Sequence, residues 1–362
     1  MSRIIIAGGG TGGHIFPAIA IANAIKVIEP SAAILFVGAN GKMEMEKIPQ
    51  AGFDIKGLDI AGYNRSSLIK NISLPYKLVN SFFQVRKIVN DFKPDAVVGV
   101  GGYSSFPVLR YAQQLQIPTF IHESNSYAGK SNMLLGKRAA RVFTASGEMN
   151  KFFPITKILV TGNPVRKVIA QSKVSKQDAF KYFGLKETVK TILVVGGSLG
   201  AKSINEVIAR HLPDFAKFDL QIIWQTGKTT AQLYFDLGKA YNNIWVNDFI
   251  TEMDKAYAAA DIVVSRAGAM AVAELCVVKK PVIFVPFPFA AENHQTVNAQ
   301  YLVDRNAALL IKDSEVNTKL YPAIIDLVMN EQKKKELISN IAPLAITNAD
   351  ELIATEILNS IK

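Results

Sequence analysis

The sequence is poor in cysteine and has no long hydrophobic run, and each absence limits what the protein can be. The single cysteine, Cys276, excludes an internal disulfide and a cysteine-based metal cluster, and we assign it no role. The longest apolar stretch, around residues 281–291, is too short to cross a bilayer. The apolar run at the N-terminus is also too short for a signal peptide. We therefore expect a folded protein that stays in the cytosol.

Acidic residues are scarce in the first half of the chain, whereas acidic and basic residues nearly balance in the second half. The net charge is +11, and most of it falls within residues 1–163. Such an asymmetry indicates an anionic partner for the first half, either nucleic acid or the negatively charged cytoplasmic leaflet of a membrane. A basic surface that serves only solubility is the alternative.

Short β-branched runs alternate with longer helix-like segments along the whole chain. Strand-like runs lie at residues 3–8, 34–38, 95–101 and 118–123, and again at 191–195, 221–227, 243–250, 260–268 and 280–287. The first helix is predicted at about 15–28 and the last at about 348–361, and residues 161–169 resemble a linker. This order predicts two tandem α/β units with parallel sheets, which bind ligands at the carboxyl ends of their strands.

Glycine-rich turns connect strands to helices at residues 8–13, 196–203 and 265–269. Such a turn lets a phosphate or a sugar approach main-chain N–H groups at the positive end of a helix. The glycines at 8, 10 and 13 match the dinucleotide-binding fingerprint, but residues 37–40 hold no carboxylate to bind the adenosine ribose. The turn at 196–203 is similar to a P-loop, but Ala201 replaces one of the glycines that a P-loop requires. An NAD-dependent oxidoreductase and an ATPase are therefore disfavoured.

A series of motifs covers nearly the whole chain in a fixed order. They are GGGTGGHIFPAIAIA at 8–22, GVGGYSSFP at 99–107, HESNSYAGKSN at 122–132, TGNPVR at 161–166, GGSLGA at 196–201, SRAGAMAVAE at 265–274 and HQTVNA at 294–299. In order and spacing they resemble the bacterial peptidoglycan glycosyltransferases that add N-acetylglucosamine to lipid I.

The resemblance implies the GT-B fold, with two Rossmann-like domains facing across a cleft. The expected domains are residues 1–163, on the acceptor and membrane side, and residues 164–345, on the UDP-sugar side, with a C-terminal helix at about 346–362 that returns to the first domain. The implied reaction is an inverting, β-1,4 transfer from UDP-N-acetylglucosamine to undecaprenyl-diphosphate-linked N-acetylmuramoyl pentapeptide (lipid I). The implied location is the cytoplasmic face of the plasma membrane, with wall-synthesis proteins as partners, no nucleic acid and no cofactor.

The resemblance also implies a set of substrate-binding residues. The first loop of the family corresponds to Thr11, Gly12 and Gly13, and its sugar-contacting amides correspond to Asn125 and to Gln295, which is also near the ribose. The diphosphate contacts correspond to Arg166 and Ser198, and the main-chain partner of uracil corresponds to Ile250. The helix start and its ribose carboxylate correspond to Ala269, Met270, Ala271, Val272, Ala273 and Glu274. Ala271 and Ala273 offer no hydroxyl, so a side-chain contact from either is in doubt. A glutamate placed like Glu274 can accept both hydroxyls of a ribose, although it can also be a solvated helix residue.

Inversion requires a base for the acceptor hydroxyl and stabilisation of the leaving diphosphate. His14, beside the first glycine turn, is the candidate base, because histidine titrates near neutral pH. The alternative is that His14 only hydrogen-bonds the turn or orients the acceptor. Glu123 is the second catalytic candidate, and His122 is either a third or a packed residue under its loop. The sequence contains no Asp-x-Asp motif. We therefore expect no obligatory metal, and assign the leaving-group charge to the helix after Gly268 with Ser198 and Arg166.

The basic surplus of the first half is concentrated in residues 56–141. We expect a membrane-contacting patch there, formed by Leu68, Ile69, Ile72 and Leu74 of a loop and by Val79 or Phe83 of the following helix, with a rim of Lys70, Lys77, Arg86, Lys137, Arg138 and Arg141. The stripe of Leu78, Phe82, Val85 and Val89 on that helix is expected to face the core.

Overall fold

A computed structural model describes residues 1–62 and 74–361 of the chain. The described chain divides into two compact units. The first comprises Met1–Val165 and the chain from Thr347 onward, and the second comprises Arg166–Ile346. Each unit has its own parallel β-sheet with helices packed on it, so the predicted α/β fold with two parallel sheets is confirmed.

The first unit is built on a seven-stranded sheet. Its strands are β1 (Arg3–Ala7), β2 (Ala33–Ala39), β3 (Asp54–Leu58), β4 (Ala96–Gly99), β5 (Thr119–Glu123), β6 (Arg141–Thr144) and β7 (Ile158–Val160). Its helices are α1 (Gly12–Ile28), α2 (Glu44–Gln50), α3 (Leu74–Phe92), α4 (Ser105–Gln114) and α5 (Lys130–Gly136). The strand order is β3-β2-β1-β4-β5-β6-β7, and every neighbouring pair is parallel.

The second unit is built on a six-stranded parallel sheet of order β10-β9-β8-β11-β12-β13. Its strands are β8 (Lys190–Val195), β9 (Leu220–Gln225), β10 (Ile244–Asn247), β11 (Ile262–Ser265), β12 (Val282–Phe284) and β13 (Leu309–Leu310). Its helices are α6 (Lys167–Ala170), α7 (Lys176–Phe183), α8 (Lys202–Arg210), α9 (Leu212–Lys217), α10 (Ala231–Lys239), α11 (Met253–Ala259), α12 (Ala269–Val278), α13 (His294–Val303), α14 (Val316–Met329) and α15 (Glu331–Ile341). Short 3₁₀ turns occupy Ile155–Lys157, Lys228–Thr230, Asp313–Glu315 and Ala342–Leu344.

The central strands of both sheets are apolar because helices cover both of their faces. In β1, Ile4 and Ile6 belong to one hydrophobic cluster and Ile5 to the cluster on the opposite face. In the second unit, the central strand β8 likewise buries its Ile192, Leu193 and Val194. This arrangement brings the ends of the strands, and the glycine turns that follow them, to one edge of each sheet.

The last helix, α16 (Ala349–Ser360), belongs to the first unit. Its Ile353 and Ile357 are fully buried in the same cluster as Ile21 and Ile25 of α1. An ion pair of 2.8 Å between Arg141 Nε and Glu356 Oε1 ties the helix to β6. Arg141, which was expected on the membrane rim, therefore has a partner within the unit.

Helix α3 only partly follows its predicted apolar stripe. Val85 and Val89 are buried as expected, but Leu78 is exposed, because the first turns of α3 extend beyond the cluster that covers its later turns. Val79 and Phe83 are exposed, as predicted. The predicted membrane residues Leu68, Ile69, Lys70 and Ile72 lie outside the described residues. Among the helices that the structure describes, none is long and apolar enough to cross a membrane.

Candidate functional site

The glycine turns that follow β1 and β4 are hydrogen-bonded to each other at the carboxyl edge of the first unit's sheet. The N–H of Gly9 donates to the carbonyl of Gly101 at 3.2 Å, and Gly8, Gly9 and Gly10 all have φ angles that favour glycine. A Cβ added at Gly102 would lie 2.5 Å from the carbonyl oxygen of Gly9. Both turns therefore need glycine, since any side chain at the contact would push them apart.

His14 stands at the start of the first helix, with its ring against both turns. Helix α1 begins at Gly12, three residues before the predicted start, because Thr11 acts as its N-cap and the Thr11 carbonyl accepts from the N–H of His14 at 3.1 Å. The ring Nδ1 lies 2.9 Å from the carbonyl oxygen of Gly9. A carbonyl only accepts, so Nδ1 carries the proton. Nε2, which faces Gly101, is then left with the lone pair of a base.

Glu123 ends β5 and is buried beneath the loop that carries Asn125. Its carboxylate accepts from the main-chain N–H groups of Asn125 and Gly129 at 3.1 and 3.0 Å, and from the amide of Asn132 at 2.8 Å. These bonds connect the beginning and the end of the loop. The geometry therefore indicates that Glu123 holds the loop in shape, because both of its oxygens already accept hydrogen bonds. In His14, by contrast, the hydrogen bond to Gly9 uses Nδ1 and not Nε2.

His122 is completely buried on β5, next to Glu123. Burial, followed by the charge of the nearby His14, lowers the pKa of its imidazole to about 4. A ring that is enclosed and neutral at physiological pH fits the interpretation of His122 as a packed residue.

In the second unit, Arg166 and Glu274 form a bidentate ion pair. Nε of Arg166 lies 2.8 Å from Oε1 of Glu274, and Nη2 lies 3.1 Å from Oε2. The hydroxyl of Tyr257 donates to the same carboxylate at 3.2 Å, and burial followed by the charge of Glu274 holds the pKa of Tyr257 well above its ordinary value. The reading of Glu274 as a solvated helix residue is wrong, because its side chain is 8% exposed.

The start of α12 presents the main-chain groups that the sequence predicts for a diphosphate. Gly268 is the N-cap, and no acidic side chain occupies the first turn. Residues 269–273 are half-buried around this end, and Glu274 is buried one turn later. Gly268 and Ala271 line a cavity, and the positive end of the helix dipole lies at this helix start.

A cavity of about 800 Å³ lies beside this helix start. Its walls combine the glycine turn at 196–201 with Gly268, Ala271 and Gln295. Oε1 of Gln295 accepts from the N–H of Phe287 at 2.9 Å, which holds the loop after β12 over the cavity. Three separately predicted segments therefore line one space.

Ser198 and Ile250 are the remaining predicted donor contacts. Ser198 is exposed at the tip of its glycine turn, where its carbonyl accepts from the N–H of Lys228 at 3.1 Å. Ile250 is buried, and its N–H donates to the side chain of Gln225 at 3.1 Å. A uracil that took this N–H would have to displace Gln225.

Two charged residues at these edges, Glu44 and Arg266, were not predicted from the sequence. Glu44 is buried against the first glycine turn, where its carboxylate accepts from the main-chain N–H groups of Gly10 and Ala39. It lies four residues beyond the segment 37–40, which itself holds no carboxylate. Arg266 is bonded to Asp313, to Ser203 and to the carbonyls after β12. Arg266 could have been predicted as a site residue, because it lies within the SRAGA motif at 265–269. No motif surrounds Glu44 in the sequence, so its role could not be predicted.

Two further predictions concern metals and cysteine. Within residues 1–62 and 74–361, no group of three or more His, Cys, Asp or Glu side chains could hold a metal ion. Cys276 is buried in α12, and burial raises the pKa of its thiol to about 12, so the thiol stays neutral.

Comparison with known proteins gives a consistent result. The models of the glycosyltransferase family 28 N-terminal and C-terminal domains match residues 4–144 and 191–354. The UDP-N-acetylglucosamine–N-acetylmuramyl-(pentapeptide) pyrophosphoryl-undecaprenol N-acetylglucosamine transferase of Bacteroides fragilis is 49% identical over 360 residues, which are 98% of this chain and 95% of that protein. The transferase of the same name from Flavobacterium psychrophilum is 46% identical, over 99% of this chain and 98% of that protein.

The crystal structure of Acinetobacter baumannii MurG is 30% identical and superposes with a TM-score of 0.81, covering 99% of this chain and all of that one. This match confirms the GT-B architecture that the motifs implied. The chain therefore belongs to glycosyltransferase family 28, and it groups there with the UDP-N-acetylglucosamine–N-acetylmuramyl-(pentapeptide) pyrophosphoryl-undecaprenol N-acetylglucosamine transferases.

Proposed function

We propose that the protein transfers N-acetylglucosamine from UDP-N-acetylglucosamine to the muramoyl sugar of lipid I, forming a β-1,4 bond with inversion. The observation that carries the proposal is the near 49% identity, over almost the whole chain, to transferases whose name states this donor and acceptor. The first unit is proposed to bind the acceptor and the second unit the donor. The cavity beside α12 in the second unit supports the second assignment.

On the acceptor side, His14 is the proposed general base. Its Nδ1–H is held by the carbonyl of Gly9, which leaves Nε2 to take the proton of the acceptor hydroxyl. The oxygen then attacks the anomeric carbon as the bond from that carbon to the diphosphate breaks, and the electron pair leaves with UDP. Attack from the face opposite the leaving group gives inversion.

On the donor side, the diphosphate is proposed to lie at the start of α12, with Ser198 and the guanidinium of Arg166 as further donors. Charge-assisted bonds of this kind stabilise the negative charge that develops on the leaving group. Glu274 is proposed to accept the ribose hydroxyls and Gln295 to bind near the sugar. Arg166 and Glu274 also bind each other, so the two proposed contacts with UDP involve the partners of one ion pair.

Glu123 is proposed to position Asn125 for the sugar rather than to act as the base, because its oxygens already accept from the loop. The helix start and Arg166 supply positive charge for the diphosphate, so the proposal includes no obligatory metal. The glycines at 12 and 13 and Thr11 form the acceptor-side edge next to His14.

The first unit is proposed to rest on the cytoplasmic leaflet, because the acceptor's lipid stays in the bilayer. The start of α3 supports this with a cluster of exposed apolar side chains, Tyr76, Leu78, Val79 and Phe83, with Lys77 and Arg86 beside them. Attraction to an anionic surface contributes about 1 kcal/mol for each basic residue near it. Such contacts, together with a few inserted apolar side chains, give reversible binding.

Transfer of label tests the proposed function. Purified protein is incubated with radiolabelled UDP-N-acetylglucosamine and a lipid I analogue, and labelled disaccharide-lipid is separated from labelled sugar. We expect disaccharide product from the wild-type protein, and a kcat lower by about 10² to 10⁴ in His14→Ala, the usual contribution of a general base. UDP affinity should be unchanged in that variant. Release of free N-acetylglucosamine with no labelled lipid would contradict the assignment.

A further inference from the structure

Glu44 lies at the start of α2 and is almost fully buried, with 1% of its surface exposed. Oε2 accepts from the N–H of Gly10 at 2.8 Å, and Oε1 accepts from the N–H of Ala39 at 3.0 Å. The carboxylate thus joins the end of β2 to the first glycine turn. Enclosing a charge in this way is costly unless it is hydrogen-bonded, so these two bonds are required for the burial of Glu44.

The side chain of Glu44 fits in this position because the two residues that contact it, Gly9 and Gly38, are glycines. A Cβ added at Gly9 would collide with the carboxylate of Glu44, and a Cβ at Gly38 would lie 2.5 Å from its Cγ. Gly9 lies in the turn that follows β1, and Gly38 lies in β2. The site is therefore shaped around the carboxylate from two sides.

The N–H that binds Glu44 and the carbonyl that binds His14 belong to the same peptide group. The Gly9–Gly10 peptide is trans and planar, so its C=O and N–H point in opposite directions. Glu44 accepts from the N–H at one end, and Nδ1–H of His14 donates to the C=O at the other. Hydrogen bonds in a chain polarise one another, so the carboxylate makes the Gly9 oxygen a stronger acceptor.

We propose that Glu44 is a positioning residue for His14, which holds the Nδ1–H tautomer and favours protonation of Nε2 through the Gly9–Gly10 peptide. The proposal rests on the proposed function in one respect only, since it takes His14 to be the base. Glu44 itself touches neither the ring nor the substrate. Its role is the one that a carboxylate has beside a catalytic histidine, here with one peptide group between them.

Two other titratable side chains lie around this ring. His122 on β5 is neutral at physiological pH, since burial lowers its pKa to about 4. Tyr103, after β4, packs beside Gly10, and burial followed by the charge of Glu44 raises its pKa. Helix α16 packs on α1 through apolar residues, and its Glu356 is paired with Arg141. The pKa directions of His122 and Tyr103 thus keep both of these side chains neutral at physiological pH.

The test compares Glu44→Gln with Glu46→Gln, a matched loss of charge at an exposed position on the same helix. Glutamine replaces one acceptor oxygen with a donor, so one of the two main-chain bonds is lost. In the transfer assay we expect kcat to fall about tenfold, less than on loss of the base itself. The acid limb of the pH profile should move down by about half a unit to one unit, with an unchanged KM for UDP-N-acetylglucosamine. Glu46→Gln should match the wild type.

A second readout does not depend on activity. The chain has four histidines, so the ¹⁵N resonances of His14 can be assigned by their loss in His14→Ala. We expect an Nδ1–H tautomer in the wild type, and in Glu44→Gln a lower pKa for His14 with a mixture of tautomers. If Glu44→Gln does not fold, Glu44→Asp, which keeps the charge but shortens its reach, should show the same loss of tautomer preference.

Two results would overturn the proposal. One is a fall in kcat for Glu44→Gln with an unmoved acid limb and unmoved His14 resonances, which a merely structural role predicts. The other is an equal further fall in kcat when Glu44→Gln is added to His14→Ala, since a residue that acts through His14 has no effect once the ring is gone. If the wild type makes no disaccharide, the proposed function fails, while the ¹⁵N readout still decides the link between Glu44 and His14.

Discussion

Arg166 and Glu274 bind each other through two hydrogen bonds of 2.8 and 3.1 Å, although we propose that they contact different parts of UDP. The pair keeps the carboxylate from being buried without a partner, which would be strongly unfavourable. The proposed donor contacts draw on both partners of this pair, the guanidinium for the diphosphate and the carboxylate for the ribose.

The ribose assignment predicts that Glu274→Ala raises the KM for UDP-N-acetylglucosamine at least about tenfold. A hydrogen bond to a charged group contributes roughly 1.5 to 3 kcal/mol, which corresponds to this factor or more. Initial rates at varied donor concentration measure it, with Glu336→Ala, an exposed position in the same unit, as the control. A donor KM that stays at the wild-type value in a folded Glu274→Ala protein would refute the assignment.

The bonds of Glu123 predict that Glu123→Gln loses stability together with activity. Glutamine would turn an N–H donor toward an N–H of the Asn125 loop, and an unsatisfied buried group costs about 1 to 3 kcal/mol. Urea unfolding should show this loss, and the exposed Glu148→Gln should not. A variant with wild-type stability and a kcat lower by about 10² to 10⁴ would instead identify Glu123 as the base.

His122 predicts acid sensitivity in a defined range. Its pKa is about 4 in the folded protein, against an ordinary value of 6.5, so between these values the unfolded chain binds a proton that the folded protein does not. Stability from this group is complete above pH 6.5 and is lost as the pH falls toward 4, in total about 3 kcal/mol. Unfolding free energies of the wild type and His122→Asn should therefore converge as the pH falls from 7 to 4.5. A constant difference between them would show that His122 does not titrate there.

The exposed cluster on α3 predicts binding to anionic vesicles that weakens in high salt. Val79→Glu with Phe83→Glu should release the protein from vesicles, because both side chains are exposed and a carboxylate is repelled by the surface. Leu233→Glu, an exposed apolar position on α10 of the second unit, is the matched control and should bind as the wild type does. Equal sedimentation with neutral and anionic vesicles would contradict an electrostatic role for the basic first unit.

Most of the strands that were predicted from the sequence are buried on both faces, although the edge strand β10 was also predicted and the buried strand β6 was missed. Runs such as RIIIA and TILVV are apolar throughout, which identifies them without any partner. Strand β3, DIKGL, was missed because it lies at the sheet edge and mixes polar with apolar residues, and β13 was missed because it has only two residues. The start of α1 was placed too late, since glycines at 12 and 13 disfavour a helix by propensity, although the Thr11 carbonyl accepts from the N–H groups of His14 and Ile15 and so starts the helix at Gly12.

The individual site residues could be predicted, but not their contacts with one another. Each residue occurs in a local motif, whereas the Arg166–Glu274 pair joins positions 108 residues apart. The bond from Gly10 to Glu44 spans 34 residues and exists because β1 pairs with β2. The hydrophobic periodicity of either segment contains no information about such a contact. Which carboxylate bonds to a given residue can therefore be determined only from the folded structure.

The configuration of the product tests the central claim most directly. The protein is supplied with UDP-N-acetylglucosamine and a short-chain lipid I analogue, and the anomeric proton coupling of the new disaccharide is measured by NMR. Direct attack by a hydroxyl that His14 deprotonates predicts a purely β-linked sugar, because the donor is α-linked and one displacement inverts it. An α-linked disaccharide would contradict the account.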